Sequence, residues 1–268
     1  AIDPDNADVR ALHEELGGQG TFGIRLFEAD RFASSLPWLA IEARLAGPRS
    51  LAHFYHAVAK TVVTGRRKYV EAAACLAEKS LPPDLVQRNI GIGFIEIGRT
   101  TEGFTRLRQA IQMNPSAQNR VCLAANYATI GLDCEARQLC EQVLRGNPNH
   151  PGALFYMGLT CSDLSEALAF YGASHKHDPF ESATYYHSGL VLARMKRIEE
   201  AVSEWEKAVN LDNADPSSIW TALGRGYRCL GQIAASRSCV KEALWFDPDS
   251  VPATIVMQDL EASLRLSE

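Results

Sequence analysis

Several common features are missing from this sequence, and each absence narrows the class of protein. There is no apolar run of about 18 residues, the length needed to span a bilayer, so no membrane insertion is expected. The first five residues have neither a basic start nor an apolar core, so they do not indicate a signal peptide. A net charge of −5 argues against a nucleic-acid partner, because phosphate binding usually requires a basic surface.

The seven cysteines do not form a disulfide framework. Their number is odd, and no C-x-x-C pair occurs. They fall inside helical patterns, where a free cysteine behaves as a small apolar residue. Cysteine usage therefore favours a reducing, cytoplasmic compartment.

Catalytic and cofactor motifs are also missing. No Gly-x-Ser-x-Gly elbow occurs, and no cysteine has a catalytic local signature. Residues 18–23 match G-x-G-x-x-G, but a helical pattern at 7–16 precedes them where a phosphate loop needs a strand. Glu42 also stands where a kinase lysine would follow, so we interpret this segment as a flexible link. No enzyme activity and no cofactor are predicted.

Two histidine pairs could suggest a metal site. His53 and His56 are spaced i, i+3, and His175 and His177 lie close together near a predicted helix end. Neither pair has an obvious carboxylate or cysteine to complete the three or more ligands that a metal site usually needs. The sequence therefore predicts no metal.

An internal repeat is the most informative feature that is present. A small residue recurs at intervals of 33, 31, 34 and 35 residues, and a helix-stopping pair follows each one after eleven residues. The small residues are Gly103, Ala136, Ala167, Ala201 and Ser236, and the pairs are Asn114-Pro115, Asn147-Pro148, Asp178-Pro179, Asp212-Asn213 and Asp247-Pro248.

Each repeat contains two helical patterns. In the unit over residues 84–115, apolar residues are spaced by three and four, which predicts one buried face on each helix. Gly91 and Gly103 would let the two helices approach closely. In the unit with Gly158 and Ala167 these two positions are nine residues apart instead of twelve, so a shortened first helix is expected there.

The repeat resembles the tetratricopeptide repeat family, whose signature begins W-x₂-L-G-x₂-Y. Trp220, Leu223, Gly224 and Tyr227 match that half completely. The resemblance is strong over residues 84–250 and weaker over 21–83, where Pro37 should displace or bend a helix. It implies an all-α fold, a right-handed superhelical solenoid of antiparallel helix pairs.

Three regions are expected along the chain. Residues 1–50 would form an N-terminal helical segment with a degenerate repeat, and residues 51–250 the repeat array. Residues 251–268 would form a C-terminal capping helix with Ile255, Met257, Leu260 and Leu264 on one side.

The resemblance also implies where a partner binds, because the first helices of successive repeats line a concave groove in this family. Aromatic residues and arginine dominate binding energy at such surfaces. Some aromatic members, such as Phe155, Tyr156 and Tyr186, could equally pack between repeats. The predicted groove residues are Tyr55, Arg88, Asn89, Ile92, Phe155, Tyr156, Leu159, Tyr186, His187, Leu190, Arg225 and Arg228.

One known ligand class does not fit. Some family members bind the C-terminal carboxylate of chaperones through a Lys/Asn/Asn/Lys/Arg clamp. This chain has Arg88-Asn89 in one repeat but Val121, Cys122 and Ala125 in the next, so the clamp is incomplete and chaperone-tail binding is not predicted.

The sequence therefore predicts a non-enzymatic scaffold or adaptor that binds a peptide or helix of a partner, with an apolar centre and acidic flanks. Two alternatives stay open. Residues 1–7 are similar to the exit of a repeat, so the array could be the substrate-binding or regulatory region of a larger enzyme, glycosyltransferase- or sulfotransferase-like. An exposed edge could instead dock onto another copy, giving a self-assembling homo-oligomer.

Overall fold

The computed structural model of the chain describes residues 24, 26–27, 32–47, 50–77, 80–211 and 216–265. Within these ranges it contains fourteen α-helices and no strand. None of the described helices is long and apolar enough to cross a membrane. The helices are α1 Phe32–Ala46, α2 Leu51–Thr64, α3 Lys68–Ala77, α4 Pro83–Glu96, α5 Thr100–Met113, α6 Ala117–Thr129, α7 Asp133–Gly146, α8 Pro151–Leu159, α9 Leu164–His177, α10 Ser182–Arg194, α11 Ile198–Val209, α12 Pro216–Cys229, α13 Ile233–Phe246 and α14 Val251–Arg265.

Two compact units divide the chain, Ala1–Leu123 and Ala124–Glu268. In the first unit, α4 and α5 form a tightly packed helix pair, as the two small residues predict. A Cβ on Gly91 would lie 2.9 Å from the backbone oxygen of Gly103, and one on Gly103 would lie 2.4 Å from the side chain of Ile95. Both distances are too short for an alanine, so glycine is required where these helices meet.

Pro37 lies inside α1, in its second turn. The sequence pattern places the start of this helix near Pro37. The helix begins five residues earlier, at Phe32, so it is displaced towards the N-terminus. At this position the proline cannot donate a hydrogen bond to the Ala33 carbonyl and its ring crowds that carbonyl, so it weakens the helix locally.

A buried asparagine links three helix ends in the first unit. The Nδ2 atom of Asn119 donates to Asp84 Oδ2 at 3.0 Å and to the Asn114 carbonyl at 2.9 Å, while its Oδ1 accepts from Arg88 Nη1 at 3.1 Å. Burial raises the pKa of Asp84, but hydrogen bonds from Asn119 and Asn114 outweigh it and leave that pKa below its ordinary value. We call these four residues the Asn119 network.

In the second unit, Trp205 on α11 packs between two glycines of neighbouring helices. A Cβ on Gly189 of α10 would lie 2.4 Å from the indole Nε1, and one on Gly226 of α12 would lie 3.0 Å from the indole Cζ3. The indole Nε1 donates to the Tyr186 carbonyl at 3.1 Å. Trp205 therefore fixes the spacing of α10, α11 and α12.

The shortened first helix is confirmed. Helix α8 has 9 residues, whereas α10 has 13. Its close approach to α9 depends on Gly158, where a Cβ would lie 2.8 Å from a ring carbon of Tyr171.

Helix α14 packs on α13 through a buried side that differs in part from the prediction. Ala253, Val256 and Leu260 are buried, and they pack with Val240 and Ala243 of α13. The sequence pattern predicts Ile255 on this side, but that residue is 49% exposed. It falls one position before Val256, and at 100° per residue that turns it away from α13.

Candidate partner-binding groove

The second unit contains a groove of about 680 Å³. Helices α8, α10 and α12 and the start of α14 form its walls, and side chains of α9 and α11 lie beneath them. Successive first helices of antiparallel pairs run side by side, so residues at similar positions of each helix meet in one channel. Five predicted groove residues line it: Leu159, Tyr186, His187, Leu190 and Arg225.

Three other predicted residues of this unit have different surroundings. Phe155 packs beneath the lining, edge-on to His187 at 5.4 Å and to Tyr156 at 4.9 Å between ring centroids. Arg228 does not line the groove, because its Nη1 lies 2.5 Å from Asp259 Oδ2 on α14. Its guanidinium pairs with the capping helix instead, and a partner contact of Arg228 stays a prediction.

The four predicted residues of the first unit are largely structural. Tyr55 is 2% exposed and stacks on Phe27 with ring centroids 4.2 Å apart. Asn89 is 4% exposed, and its Nδ2 donates to the Leu85 carbonyl at 2.9 Å. Tyr55 and Asn89 are therefore core residues, and their prediction as contact residues was wrong. Ile92 packs against the same core, and Arg88 belongs to the Asn119 network.

The lining of the groove carries positive charge. Arg194, Lys196 and Arg225 all line it, and no Asp or Glu does so within the described ranges. None of the three forms an ion pair with a carboxylate in the part of the chain that the structure describes. Among the described residues, no carboxylate of the chain itself therefore competes with a ligand carboxylate for these three cations.

Arg194 and Lys196 were missed by sequence reasoning. Arg194 follows Leu190 by four residues, so the helical spacing placed it on the same face and could have indicated it. Lys196 lies beyond the helix end, in the turn to α11, and no periodic signal marks it.

A buried hydroxyl also lines the groove. Thr221 is 4% exposed, and its Oγ1 has no hydrogen-bond partner among the described residues. An unsatisfied buried polar group costs about 1–3 kcal/mol. A ligand that supplies a donor or acceptor here would recover part of that cost.

His187 contributes an uncharged ring to the groove. The rings of Phe155 and Tyr186 lie edge-on to it, at 5.4 and 5.2 Å between centroids. Burial lowers the pKa of His187 to about 4. The positive charge of the lining at neutral pH therefore comes from the arginines and the lysine alone.

This pKa predicts a loss of stability in acid. The unfolded chain protonates His187 near its ordinary pKa of about 6.5, whereas the folded chain resists protonation down to about 4, so the free energy of unfolding falls as pH drops through that window. We expect His187→Gln to reduce this fall between pH 7 and 4.5 by about 1–2 kcal/mol, measured by urea unfolding. His177→Gln, on the exposed face of α9, is the control; equal pH dependence of both variants would contradict the prediction.

The glycine-rich segment 18–23 lies outside the described residues. Within the described ranges, no group of three His, Cys, Asp or Glu residues could hold a metal ion.

This chain resembles known proteins in its fold. No protein-family profile matches the sequence, and no curated protein matches it. A tetratricopeptide repeat protein from Parabacteroides merdae superposes with a TM-score of 0.58 at 12% identity, over 94% of this chain and 98% of its own. TTC0263, a thermophilic protein of the same repeat class from Thermus thermophilus, gives 0.57 at 18% identity, over 67% and 99%. The chain therefore has the fold of tetratricopeptide repeat proteins.

Proposed function

We propose that this chain is a non-enzymatic protein-binding module that holds a peptide segment of a partner in the groove of the second unit. The observation that carries the proposal is the composition of that groove. An apolar floor lies beside three cations, and no described carboxylate neutralises them. Repeat folds of this kind create extended binding surfaces, which supports a role in protein interaction.

The lining indicates the chemistry of the ligand. Leu159 and Leu190 offer aliphatic contact, which stabilises a complex by about 25 cal/mol for each Å² of apolar surface buried. Arg194 and Arg225 offer forked donors that match a carboxylate. A segment with an apolar centre and acidic flanks would satisfy both parts. Because the cysteines favour a reducing compartment, we expect such a partner in the cytoplasm.

Binding of two sets of short peptides tests this proposal. The probes are fluorescein-labelled nine-residue peptides with a Leu or Phe centre flanked by Asp and Glu, and their Lys-flanked counterparts. Fluorescence polarisation would give their affinities. We expect only the acid-flanked set to bind, with an affinity that falls as salt increases.

Arg225→Glu is expected to weaken binding of the acid-flanked peptides by about tenfold or more, because it replaces an attraction by a repulsion. The matched control is Arg237→Glu, the same exchange on an exposed position of α13 outside the groove, which should bind like wild type. Circular dichroism would check that both variants keep their helices. Equal affinity of the two variants would move the binding site away from the groove.

Absence of binding by wild type to every peptide would contradict the proposal. Sedimentation at several protein concentrations would then test the alternative. A mass that rises with concentration would favour self-assembly.

A further inference from the structure

The turn between α10 and α11 contains a lysine in a left-handed conformation. Lys196 has φ 64°, and it is the single non-glycine residue with positive φ in the described part of the chain. The equivalent position, five residues before the small residue of the repeat, is glycine in three other repeats. These glycines are Gly98, Gly131 and Gly231, with φ of 79°, 77° and 73°.

The turn itself does not require a lysine. Arg197 N donates to the Leu192 carbonyl at 2.9 Å, and in a glycine turn Gln232 N donates to the Tyr227 carbonyl at 2.9 Å. The backbone geometry is therefore the same with glycine. An L side chain in this region crowds the backbone, so lysine makes the turn less favourable than glycine would.

The Lys196 side chain makes no compensating contact in the described part of the chain. Within those ranges its Nζ has neither an ion pair nor a hydrogen bond, and the residue is exposed. It lines the groove with Arg194 and Arg225. Backbone strain that no local contact offsets is typical of residues at binding sites.

Thr221 gives independent support for a ligand in this groove. Its hydroxyl lines the same groove, and the residue is only 4% exposed and has no hydrogen-bond partner for its Oγ1 among the described residues. Thr221 is therefore a second polar position in the lining that contains Lys196.

We propose that Lys196 is a specificity-determining residue that recognises a carboxylate of the bound segment. The inference rests on the proposed function, since it assigns one charge of that ligand to one side chain. An ammonium group on a flexible stem suits this task, because it has three donors and can follow a carboxylate at the open edge of the groove.

Three variants separate charge from strain. Lys196→Gly removes the side chain and the strain, Lys196→Asn removes the charge but tolerates φ above zero, and Lys196→Arg keeps the charge. Each is tested by fluorescence polarisation with an acid-flanked Leu-centred peptide and with its Asn/Gln-flanked counterpart. We expect the Gly and Asn variants to lose about three- to tenfold in affinity for the acidic peptide and to bind the amide peptide like wild type. The Arg variant should retain the preference.

Thermal unfolding provides a readout that does not depend on any ligand. Lys196→Gly should raise Tm by about 2 °C, because it relieves the strain. The matched control is Gly131→Lys, which introduces the same strain at an equivalent turn with no atom within 4 Å of the new Cβ, and which should lower Tm.

The outcomes distinguish the two proposals. If wild type prefers the acidic peptide and the Asn variant keeps the same preference, the assignment of Lys196 is overturned while the groove proposal stands. If wild type binds neither peptide, both proposals are overturned. A fall in Tm for Lys196→Gly would also overturn the inference, because the lysine would then serve the fold.

Discussion

Trp205→Ala is expected to lower the free energy of unfolding of the second unit by about 3–5 kcal/mol. The side chain is 3% exposed and packs between Gly189 and Gly226, so alanine would leave a cavity between three helices. The exchange also removes the indole donor to the Tyr186 carbonyl. Neither glycine can fill the space, because neither has a side chain.

Urea unfolding followed by circular dichroism would measure this loss. The matched control is Trp245→Ala, which removes the same side chain from a position that is 74% exposed on α13. Exposed positions away from buried contacts usually change stability by less than about 0.5 kcal/mol. Similar losses for the two variants would contradict the packing described for Trp205.

Asn119→Ala is expected to destabilise the first unit by about 2–4 kcal/mol. Asn119 is 1% exposed, and its side chain makes four hydrogen bonds that join α6 to α4 and to the end of α5: with Asp84, Arg88 and the carbonyls of Ala110 and Asn114. Alanine would leave the Asp84 carboxylate with fewer donors and the Arg88 guanidinium without its acceptor. Breaking a buried polar network costs more free energy than the loss of a single hydrogen bond, because each remaining polar group is left without its partner.

The same unfolding experiment tests this variant. Gln118→Ala, the exposed neighbour on α6, is the control and should change stability by less than about 0.5 kcal/mol. The pKa of Asp84 gives a second readout. It should rise towards its ordinary value when Asn119 is lost, and an unchanged Asp84 titration would contradict the network.

The helix pairs could be predicted from the sequence because their signals are local. Gly103 marks the close contact with Gly91 of the same repeat, and Ala201 at the equivalent position is fully buried. The short helix α8 followed directly from the count of residues between Gly158 and Ala167. A spacing of three or four residues sets a helix face without any knowledge of the rest of the chain.

The groove was predicted only in part, because contacts between distant residues decide which side chains are free. Phe27 covers Tyr55, Asp259 pairs with Arg228 across 31 residues, and Asn119 pairs with Arg88 across the same separation. No periodicity within one repeat encodes these contacts. Leu159 and Leu190, which helical rotation places on the inner face, do line the groove, and their contact with a partner stays a prediction.

The short helix α8 gives the groove a wall of uneven height. At a rise of 1.5 Å per residue, nine residues extend about 13.5 Å, whereas the thirteen residues of α10 extend about 19.5 Å. Both helices start three residues after a proline, so the difference of about 6 Å falls entirely at their C-terminal ends, beside Arg194 and Lys196. Where α8 has already ended, this helix no longer forms a wall of the groove. A bound segment would therefore have room for a larger side chain here than elsewhere along the groove.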